Sequence, residues 1–389
     1  MFLAALASLR FAIVVQAILE AGTVLVVGVA AAAVAGTVAG IVAASIFAFD
    51  VPSIANCATI LSEPLFTAIV GMAFGWQIVA IFRFPDSKGR TLVSFMVAGL
   101  LGMSPLVRPI GVVLIVTVPL LLLPLKQSKS RGIWIAAVLT VIAAAPTFVW
   151  SLRNFERRGV FSLSVISQYN LYFYRAGGLL VREKGVDPGL EHAILVSEEP
   201  KSCSPEFNDS SPECFKVLER RAFQILRQHP TSLVRDMARR AATILVGPGV
   251  EQTKRMVGEG SVAANSGVAG AIVFGLVSLE IALLATTWIG ALFAVVKFGL
   301  PWRWSHYPLL LPCAAILVLV LAAAGPEGYS RFRVAIMPLV AILSGTGWAL
   351  ILRPRLFVSD CDNGLRRWRP PLPNRDNVSR PSQFSVKGI

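Results

Sequence analysis

The stretch Ile133-Trp-Ile-Ala-Ala-Val-Leu-Thr-Val-Ile-Ala-Ala-Ala-Pro-Thr-Phe-Val-Trp-Ser151 contains 19 residues and no charged side chain. A helix of about 20 apolar residues crosses the roughly 30 Å of hydrocarbon in a bilayer. The stretch lacks the alternation of a membrane strand, so it predicts a transmembrane helix. Directly after it the sequence changes character, because a polar stretch from Arg153 to Gly267 interrupts a chain that otherwise consists of apolar runs.

The composition of the whole chain also indicates a membrane protein. Of its 389 residues, 55% are hydrophobic and only 15% are charged, and the mean hydropathy is +0.68. These values exclude an ordinary water-soluble domain and predict an all-α polytopic membrane protein. The net charge of +14 is spread over loop edges and the tail, which is typical of residues that flank a membrane and does not indicate a nucleic-acid partner.

The apolar runs predict about nine transmembrane helices. Only small residues around Gly36 and Gly40 separate the first two runs, so their lengths predict a tight helical hairpin. The chain divides into transmembrane helices over residues 1–152 with a short external segment at 50–63, a polar segment at 153–267, further transmembrane helices at 268–352 and a tail at 353–389. The predicted crossings are Phe11–Ala31, Ala32–Phe49, Pro64–Phe82, Thr91–Ser104, Pro109–Leu125, Ile133–Ser151, Val268–Val296, Tyr307–Ala324 and Val334–Leu352.

Basic residues in the short loops predict the orientation of these helices. They form four groups, namely Arg83, Lys88 and Arg90; Lys126, Lys129 and Arg131; Lys297 and Arg303; and Arg353 and Arg355. If all four groups are cytoplasmic, the polar stretch, the segment Asp50–Glu63, the turn Gly325–Arg333 and the amino terminus lie outside. The tail from Arg353 is rich in Arg and Pro and lacks periodicity, so we expect it to be cytoplasmic and disordered.

The predicted helix Thr91–Ser104 is short, which affects the expected depth of the turn after it. Its 14 residues would extend only about 21 Å, which is less than the hydrocarbon thickness. The turn Ser104–Pro109 would then lie below the outer surface, where a charged residue is tolerated only if it lines a cavity or is packed in protein. Arg108 in this turn is therefore a candidate site residue.

Two amphipathic helices are predicted inside the polar stretch, Cys214–Gln228 and Ser232–Leu245. His229-Pro230 separates them, with Thr231 as the expected N-cap. Their apolar faces could lie on the outer membrane surface or pack against each other in a small domain. Cys203 and Cys214 are the only close pair among the five cysteines and could form a disulfide in an oxidising compartment.

Arginines at external helix ends run against the usual charge bias of membrane proteins. Guanidinium groups bind phosphate through paired hydrogen bonds, so as a set these arginines predict a phosphate site, although each one alone could anchor lipid headgroups. The four are Arg108, Arg153, Arg331 and Arg333.

Three acidic residues are also candidates for roles at or near the site. Glu63 begins a crossing and could either cap that helix or orient an arginine or a sugar hydroxyl. Asp50 could be a base or a residue that stops a helix at the interface. Glu280 falls inside a predicted helix, where it should have a polar partner or a raised pKa, and it is expected near the membrane edge because its apolar run is long.

Four stretches together resemble the class C glycosyltransferases, the GT-C fold, and within them the protein O-mannosyltransferase and aminoarabinose-transferase superfamily. The resemblance covers nearly the whole chain up to Leu352, including the phrase Ala222–Pro230, which is similar to membrane-surface helices of the family. The stretches are Ile60–Phe66 with Pro52 ahead of it, Gly99–Pro109, Ala145–Asn154 followed by Gly159–Phe161 and Tyr169-Asn170, and Tyr329–Arg333 with Pro338.

The resemblance implies an enzyme of a bacterial cytoplasmic membrane that moves a sugar from a polyprenyl-phosphate carrier to an extracytoplasmic lipid, glycan or protein acceptor. It implies an inverting reaction in which a carboxylate removes the acceptor proton and cations stabilise the departing phosphate. The implied pocket residues are Glu63, Arg108, Arg153, Asn154, Tyr169, Asn170, Tyr329, Arg331 and Arg333.

The base is not assigned by the resemblance, and Asp50 and Glu63 are only weak candidates for it. Family members open with one more helix and an acidic external loop, so this chain is expected to begin at the second helix and to be truncated at its amino terminus. No metal motif and no definite cofactor is indicated, while a divalent cation stays an open option. Two other hypotheses compete with the enzyme. One is a transporter or flippase of a lipid-linked or anionic solute, although the sequence shows no internal repeat of the kind that many transporters contain. The other is a non-catalytic membrane subunit.

Overall fold

The chain is an all-α polytopic membrane protein. A computed structural model describes residues 2–59, 61–84, 87–122, 129–164, 166–184, 212–257, 267–299, 307–325 and 330–352. Six helices in these ranges are long and apolar enough to cross a membrane, and two shorter apolar helices lie at Pro109–Leu120 and Leu309–Ala323. The six are Arg10–Ala48, Ser62–Arg83, Lys88–Val107, Gly132–Arg158, Gly270–Lys297 and Ser330–Leu352.

The described helices follow one another along the chain in the following order. The α-helices are α1 (Phe2–Ala48), α2 (Val51–Cys57), α3 (Ser62–Arg83), α4 (Ser87–Val107), α5 (Lys129–Arg158), α6 (Ile166–Tyr169), α7 (Gly177–Lys184), α8 (Pro212–Gln228), α9 (Pro230–Val246), α10 (Val250–Val257), α11 (Gly267–Gly299), α12 (Tyr307–Ala323) and α13 (Met337–Leu352). Two 3₁₀ helices occupy Pro109–Leu122 and Ser330–Ile336, and a π helix occupies Asn170–Ala176.

Helix α1 is a hairpin of two arms. Ala35 and Gly36 leave the helical conformation, and Gly36 has φ 83° and ψ 177°. A Cβ atom on Gly40 would lie 2.7 Å from the carbonyl oxygen of Gly28 and 2.8 Å from the Cβ of Ala32. The arms therefore run antiparallel in close contact, which confirms the predicted hairpin and places its turn slightly after the predicted boundary. With both arms and the two shorter apolar helices, the described residues contain the nine predicted apolar segments.

Helix α4 corrects the predicted shallow turn. It has 21 residues, about 31 Å at 1.5 Å per residue, which is enough to cross the hydrocarbon. The prediction was wrong because the helix extends past both predicted ends and keeps Pro105 inside it. The chain returns as the 3₁₀ helix Pro109–Leu122 of 14 residues, and the larger rise of about 2.0 Å per residue gives it a length of about 28 Å.

Helix α13 lies in the middle of the bundle, where nearly all of its residues are buried. Two glycines allow neighbouring helices to approach it from different sides. A Cβ atom on Gly345 would collide with the backbone of Ala39 in α1, and one on Gly347 would collide with the carbonyl group of Gly290 in α11. Close backbone contact thus fixes α1 and α11 on α13.

The polar stretch contains the two predicted amphipathic helices, α8 and α9. They are divided at His229-Pro230 as predicted, although the N-cap of α9 is His229 and not Thr231, since Pro230 already begins the helix. The apolar face of α8 packs against the π helix and α7 in a cluster of Tyr172, Phe173, Ala176, Leu179, Cys214, Leu218, Ala222 and Leu226. The apolar face of α8 therefore packs inside the protein, but against the π helix and α7 and not mainly against α9 as the small-domain alternative had it.

Some predictions fall on residues that the structure does not describe. Cys214 is disulfide-bonded, and its partner lies outside the described residues. Cys203, Tyr329 and the tail from Arg353 also lie outside them.

Candidate functional site

Two arginines from different helix ends converge on one buried carboxylate. Glu63 lies in the first turn of α3, Arg108 directly follows α4, and Arg331 lies in the second 3₁₀ helix. Nη1 of Arg108 is 2.9 Å from Oε1 of Glu63, and the guanidinium group of Arg331 donates to the same oxygen through Nε and Nη2. We call Glu63, Arg108 and Arg331 the arginine–glutamate site.

Burial makes the electrostatics of the arginine–glutamate site strong. The side chain of Glu63 is 2% exposed, that of Arg108 18% and that of Arg331 35%. Two guanidinium groups and one carboxylate carry a net charge of +1 when all three are ionised. Burial lowers the pKa of Arg108, the neighbouring Glu63 opposes this shift, and the positive charge of Arg331 adds to it. A second anion at this place would relieve the repulsion between the two arginines.

An aromatic ring completes the support of Arg108. The guanidinium carbon of Arg108 lies 5.4 Å from the ring centroid of Phe332, within the range of a cation–π contact. Phe332 follows Arg331, so the second 3₁₀ helix supplies both a charged partner and an apolar support to the same site. Phe332 was not among the predicted site residues, although its place between two candidate arginines was a usable signal.

The contacts of Glu63 distinguish between its two predicted roles. The N-cap position of α3 is Leu61, which makes no side-chain cap hydrogen bond. Apart from a 3.5 Å contact with the hydroxyl of Ser62, the carboxylate interacts with Arg108 and Arg331. Glu63 is therefore placed to orient arginines.

Arg333 binds a different carboxylate, that of Glu280 in α11. Its guanidinium group donates to Glu280 and to the carbonyl oxygen of Gly247. The backbone N–H of Gly249 donates to both carboxylate oxygens of Glu280, at 2.8 Å and 2.9 Å. The expected polar partner of Glu280 is thus confirmed, whereas the contacts of the two glycines were not predicted.

This second ion pair is deeply buried, with Arg333 0% and Glu280 2% exposed. Helix α11 has 33 residues, about 50 Å at 1.5 Å per residue, which is longer than the hydrocarbon thickness. Glu280 lies ten residues after the start of the apolar span Gly270–Lys297, and its expected position near the membrane edge stays a prediction.

Asp50 has the contacts of a helix cap. It precedes α2, and its Oδ2 accepts hydrogen bonds from the backbone N–H of Ser53 at 3.1 Å and from the Ser53 hydroxyl at 2.6 Å. Burial raises the pKa of Asp50, while the charge of Arg333 and the hydrogen bonds from Ser53 act in the opposite direction. Asp50 and Glu280 also line a cavity of about 10 Å³, roughly the space of one water molecule.

Four other predicted pocket residues have contacts close to their own position in the chain. Arg153 donates to Asn154 at 3.2 Å and stacks 4.5 Å above the ring of Trp150. Asn154 donates to the carbonyl oxygen of Ser162 at 2.8 Å, which orders the chain after α5. The ring of Tyr169 lies 4.4 Å from that of Phe173, and Asn170 begins the π helix. These contacts do not connect the four residues to the arginine–glutamate site.

Within the described ranges, no group of three or more His, Cys, Asp or Glu side chains is arranged to hold a metal ion. These residues therefore offer no candidate set of ligands for a divalent cation.

Comparisons with known proteins assign no family to the chain. No family model matches it, and no curated protein matches it. Among solved structures it is similar to the archaeal oligosaccharyltransferase AglB from Archaeoglobus fulgidus in complex with an inhibitory peptide and a dolichol-phosphate, at 13% sequence identity and a TM-score of 0.42. The similarity covers 90% of this chain and 40% of that chain, so this chain spans less than half the length of that protein.

Proposed function

We propose that this protein is a membrane glycosyltransferase that moves a sugar from a polyprenyl-phosphate carrier to a lipid, glycan or protein acceptor on the extracytoplasmic side of a bacterial cytoplasmic membrane. The observation that carries the proposal is the convergence of Arg108 and Arg331 on the buried Glu63 at the ends of three apolar helices. Such a site suits a ligand with a phosphate at the membrane surface and a lipid chain in the bilayer.

The charge of the arginine–glutamate site matches the change in charge during the reaction. In the donor the phosphate is a diester with one negative charge. When the bond between the anomeric carbon and the phosphate oxygen breaks, the electron pair stays on that oxygen and the charge of the phosphate increases. Arg108 and Arg331 would bind the departing phosphate more strongly than the bound donor, which is the condition for catalysis by electrostatic stabilisation.

Glu63 has a positioning role in this proposal. Oε1 accepts from both arginines, so the carboxylate fixes the two guanidinium groups relative to each other before the phosphate arrives. The acceptor oxygen forms the new bond to the anomeric carbon and loses its proton to a base. The cap contacts of Asp50 with Ser53 give that carboxylate a structural task, so we assign no base among the described residues.

The first test measures binding of polyprenyl phosphate to the purified protein in nanodiscs. Loss of one charge-assisted contact costs about 1.5–3 kcal/mol, so Arg108→Ala and Arg331→Ala should each raise the Kd roughly 10- to 100-fold. Arg108→Lys should give an intermediate Kd, because lysine keeps the charge and loses the paired geometry. Arg158→Ala is the matched control, since Arg158 is exposed at the end of α5. Equal affinities of all four variants would overturn the proposed phosphate site.

The second test separates transfer from transport. Proteoliposomes that contain a polyprenyl-phosphate-linked hexose and total membrane lipid as acceptor should release polyprenyl phosphate and form a glycosylated product. Movement of the intact donor across the bilayer without cleavage of the glycosidic bond would instead establish the transporter or flippase. Binding without either activity would favour the non-catalytic subunit.

A further inference from the structure

One face of helix α9 does not pack against any of the described residues. Its exposed residues lie on one stripe at helical spacing, with apolar Val234, Ala238, Ala242 and Val246 next to Arg235 and Arg239. Val234 is 67% exposed and Val246 is 62% exposed. An exposed apolar stripe bordered by arginines is typical of a helix at a membrane surface.

The carboxyl-terminal end of α9 is fixed beside a membrane-spanning helix. Nε1–H of Trp288 donates to the carbonyl oxygen of Leu245 at 2.8 Å, and Trp288 lies within the span Gly270–Lys297. Trp288 follows Glu280 by two turns of α11, about 12 Å further along the helix. Because 18 residues of this span precede Trp288 and nine follow it, the end of α9 lies beside the membrane-spanning part of α11.

The burial of Ile244, close to the end of α9, supports this depth. Ile244 is 1% exposed and belongs to the main apolar core of the bundle together with Ala291 and Leu311. Val246 follows Ile244 but points to the outside of the protein. An exposed valine at this depth meets lipid chains.

The arginines lie higher on the same helix. Arg239 precedes Val246 by seven residues, about 10 Å along the axis. If Val246 contacts lipid chains and α9 enters the membrane with its carboxyl-terminal end, Arg239 and then Arg235 lie progressively nearer to the headgroups. This arrangement places apolar and positive side chains at the depths where a phospholipid has its chains and its phosphate.

Excess positive charge surrounds this part of α9. Arg182 and Arg240 both contact the buried Asp236, with Nε of Arg240 3.9 Å from Oδ1. The pKa of Arg182 is lowered by burial first and then by the charges of Arg240 and Arg239. A second carboxylate, that of Glu183, contacts His229 and Ser232 at the start of α9. This part of the protein thus has two carboxylates and the four guanidinium groups of Arg182, Arg235, Arg239 and Arg240, a charge distribution complementary to an anion.

From these observations we infer that the exposed stripe of α9 is a docking surface for anionic phospholipid in the leaflet beside it. Val246 and Ala242 contact the acyl chains, and Arg235 and Arg239 bind the headgroup phosphates. This surface is separate from the arginine–glutamate site, and it would anchor the small domain of α6 to α9 on the bilayer irrespective of the reaction that the protein performs.

The depth is tested with an environment-sensitive fluorescent amino acid at position 246 of the full chain in proteoliposomes. The emission should shift to the blue and be quenched by lipids that carry a nitroxide on the acyl chain. The matched control places the same amino acid at position 228, since Gln228 is exposed on the adjoining α8, and should report water. Equal emission and equal quenching at both positions would overturn the inference.

The headgroup preference is tested with the fluorophore at position 242 and small fractions of brominated phosphatidylglycerol or brominated phosphatidylcholine. An arginine near an anionic surface contributes about fivefold to association, so phosphatidylglycerol should quench at a fraction at least about fivefold lower. Arg235→Gln with Arg239→Gln should abolish this difference, whereas Arg220→Gln with Arg227→Gln on the exposed face of α8 should preserve it.

Three outcomes of the second test contradict the inference. No preference in the wild-type protein would exclude an anionic lipid as the ligand. Displacement of the brominated lipid by millimolar inorganic phosphate would show a site for free phosphate. Energy transfer between differently labelled copies at position 242 that rises with protein density would show that a second copy covers the stripe.

Discussion

The guanidinium group of Arg333 and the carboxylate of Glu280 form an ion pair in which both side chains are almost completely buried. The pair joins the second 3₁₀ helix to α11, and the backbone of Gly247 and Gly249 adds further hydrogen bonds to it. Removing water from two charges is costly, so such a pair is stable only while both partners are present.

Arg333→Met should therefore destabilise the protein, by about 3–5 kcal/mol, because Glu280 would remain buried without its partner. The double variant Arg333→Met with Glu280→Gln should recover part of this loss. Thermal unfolding of the purified proteins in one detergent measures both effects, and Arg10→Met is the control because Arg10 is exposed. A double variant no more stable than the single variant would contradict the coupling of the two residues.

The turn of the α1 hairpin gives a second prediction. Gly36 has φ 83° and ψ 177°, a conformation that is essentially restricted to glycine. Gly36→Ala should cost about 1–3 kcal/mol of stability although the added methyl group meets no neighbour.

Gly99→Ala is the matched control for the hairpin variant. Gly99 lies inside α4, and a Cβ atom there also meets nothing within 4 Å. Alanine favours the helix by up to about 1 kcal/mol, so this variant should be neutral or slightly more stable. Equal unfolding temperatures of the two variants would show that the backbone of Gly36 is not constrained.

The hairpin and the meeting of Glu63 with arginines could be expected from the sequence. Run lengths and small residues predict where a chain must reverse within the membrane, and the positions of charged residues at helix ends predict which side chains share one surface. Arg108 was predicted as a site residue because the turn after a short helix was expected to lie below the membrane surface. The full length of α4 contradicts that depth. Its pairing with Glu63 instead depends on the side-by-side packing of α3 and α4.

Arg333 illustrates what the sequence could not provide. It lies two residues from Arg331, and the same reasoning gave both arginines the same role. Their partners differ because successive positions of a 3₁₀ helix point in different directions, one toward Glu63 and the other toward Glu280. Depth and direction are set by tertiary packing, and the carbonyl group of Gly247 carries no signal of its contact in the sequence.

Close packing of α13 on α11 supports a third prediction. A Cβ atom on Gly347 would collide with the carbonyl group of Gly290, so Gly347→Ala must push the two helices apart. Overpacking of this kind costs about 1–3 kcal/mol or more, and the unfolding temperature should fall. Gly275→Ala on α11 should leave it unchanged or raise it slightly, because a Cβ atom there meets nothing within 4 Å and alanine favours the helix. A similar unfolding temperature for both variants would contradict the close contact.

The cap residue Asp50 gives a prediction about pH. Burial raises the pKa of its carboxyl group above the ordinary value of 3.8, so the folded protein binds this proton more tightly than the unfolded chain. The stabilising contribution of Asp50 is therefore complete below pH 3.8 and is lost as the pH rises through the pKa of the folded state.

Asp50→Asn removes the ionisation and keeps an efficient cap. The unfolding temperature of the variant, relative to the wild-type protein, should thus increase between about pH 4 and pH 8. Glu156→Gln, which changes an exposed carboxyl group of α5, should show no such trend, and a parallel pH profile of Asp50→Asn and the wild-type protein would contradict the raised pKa.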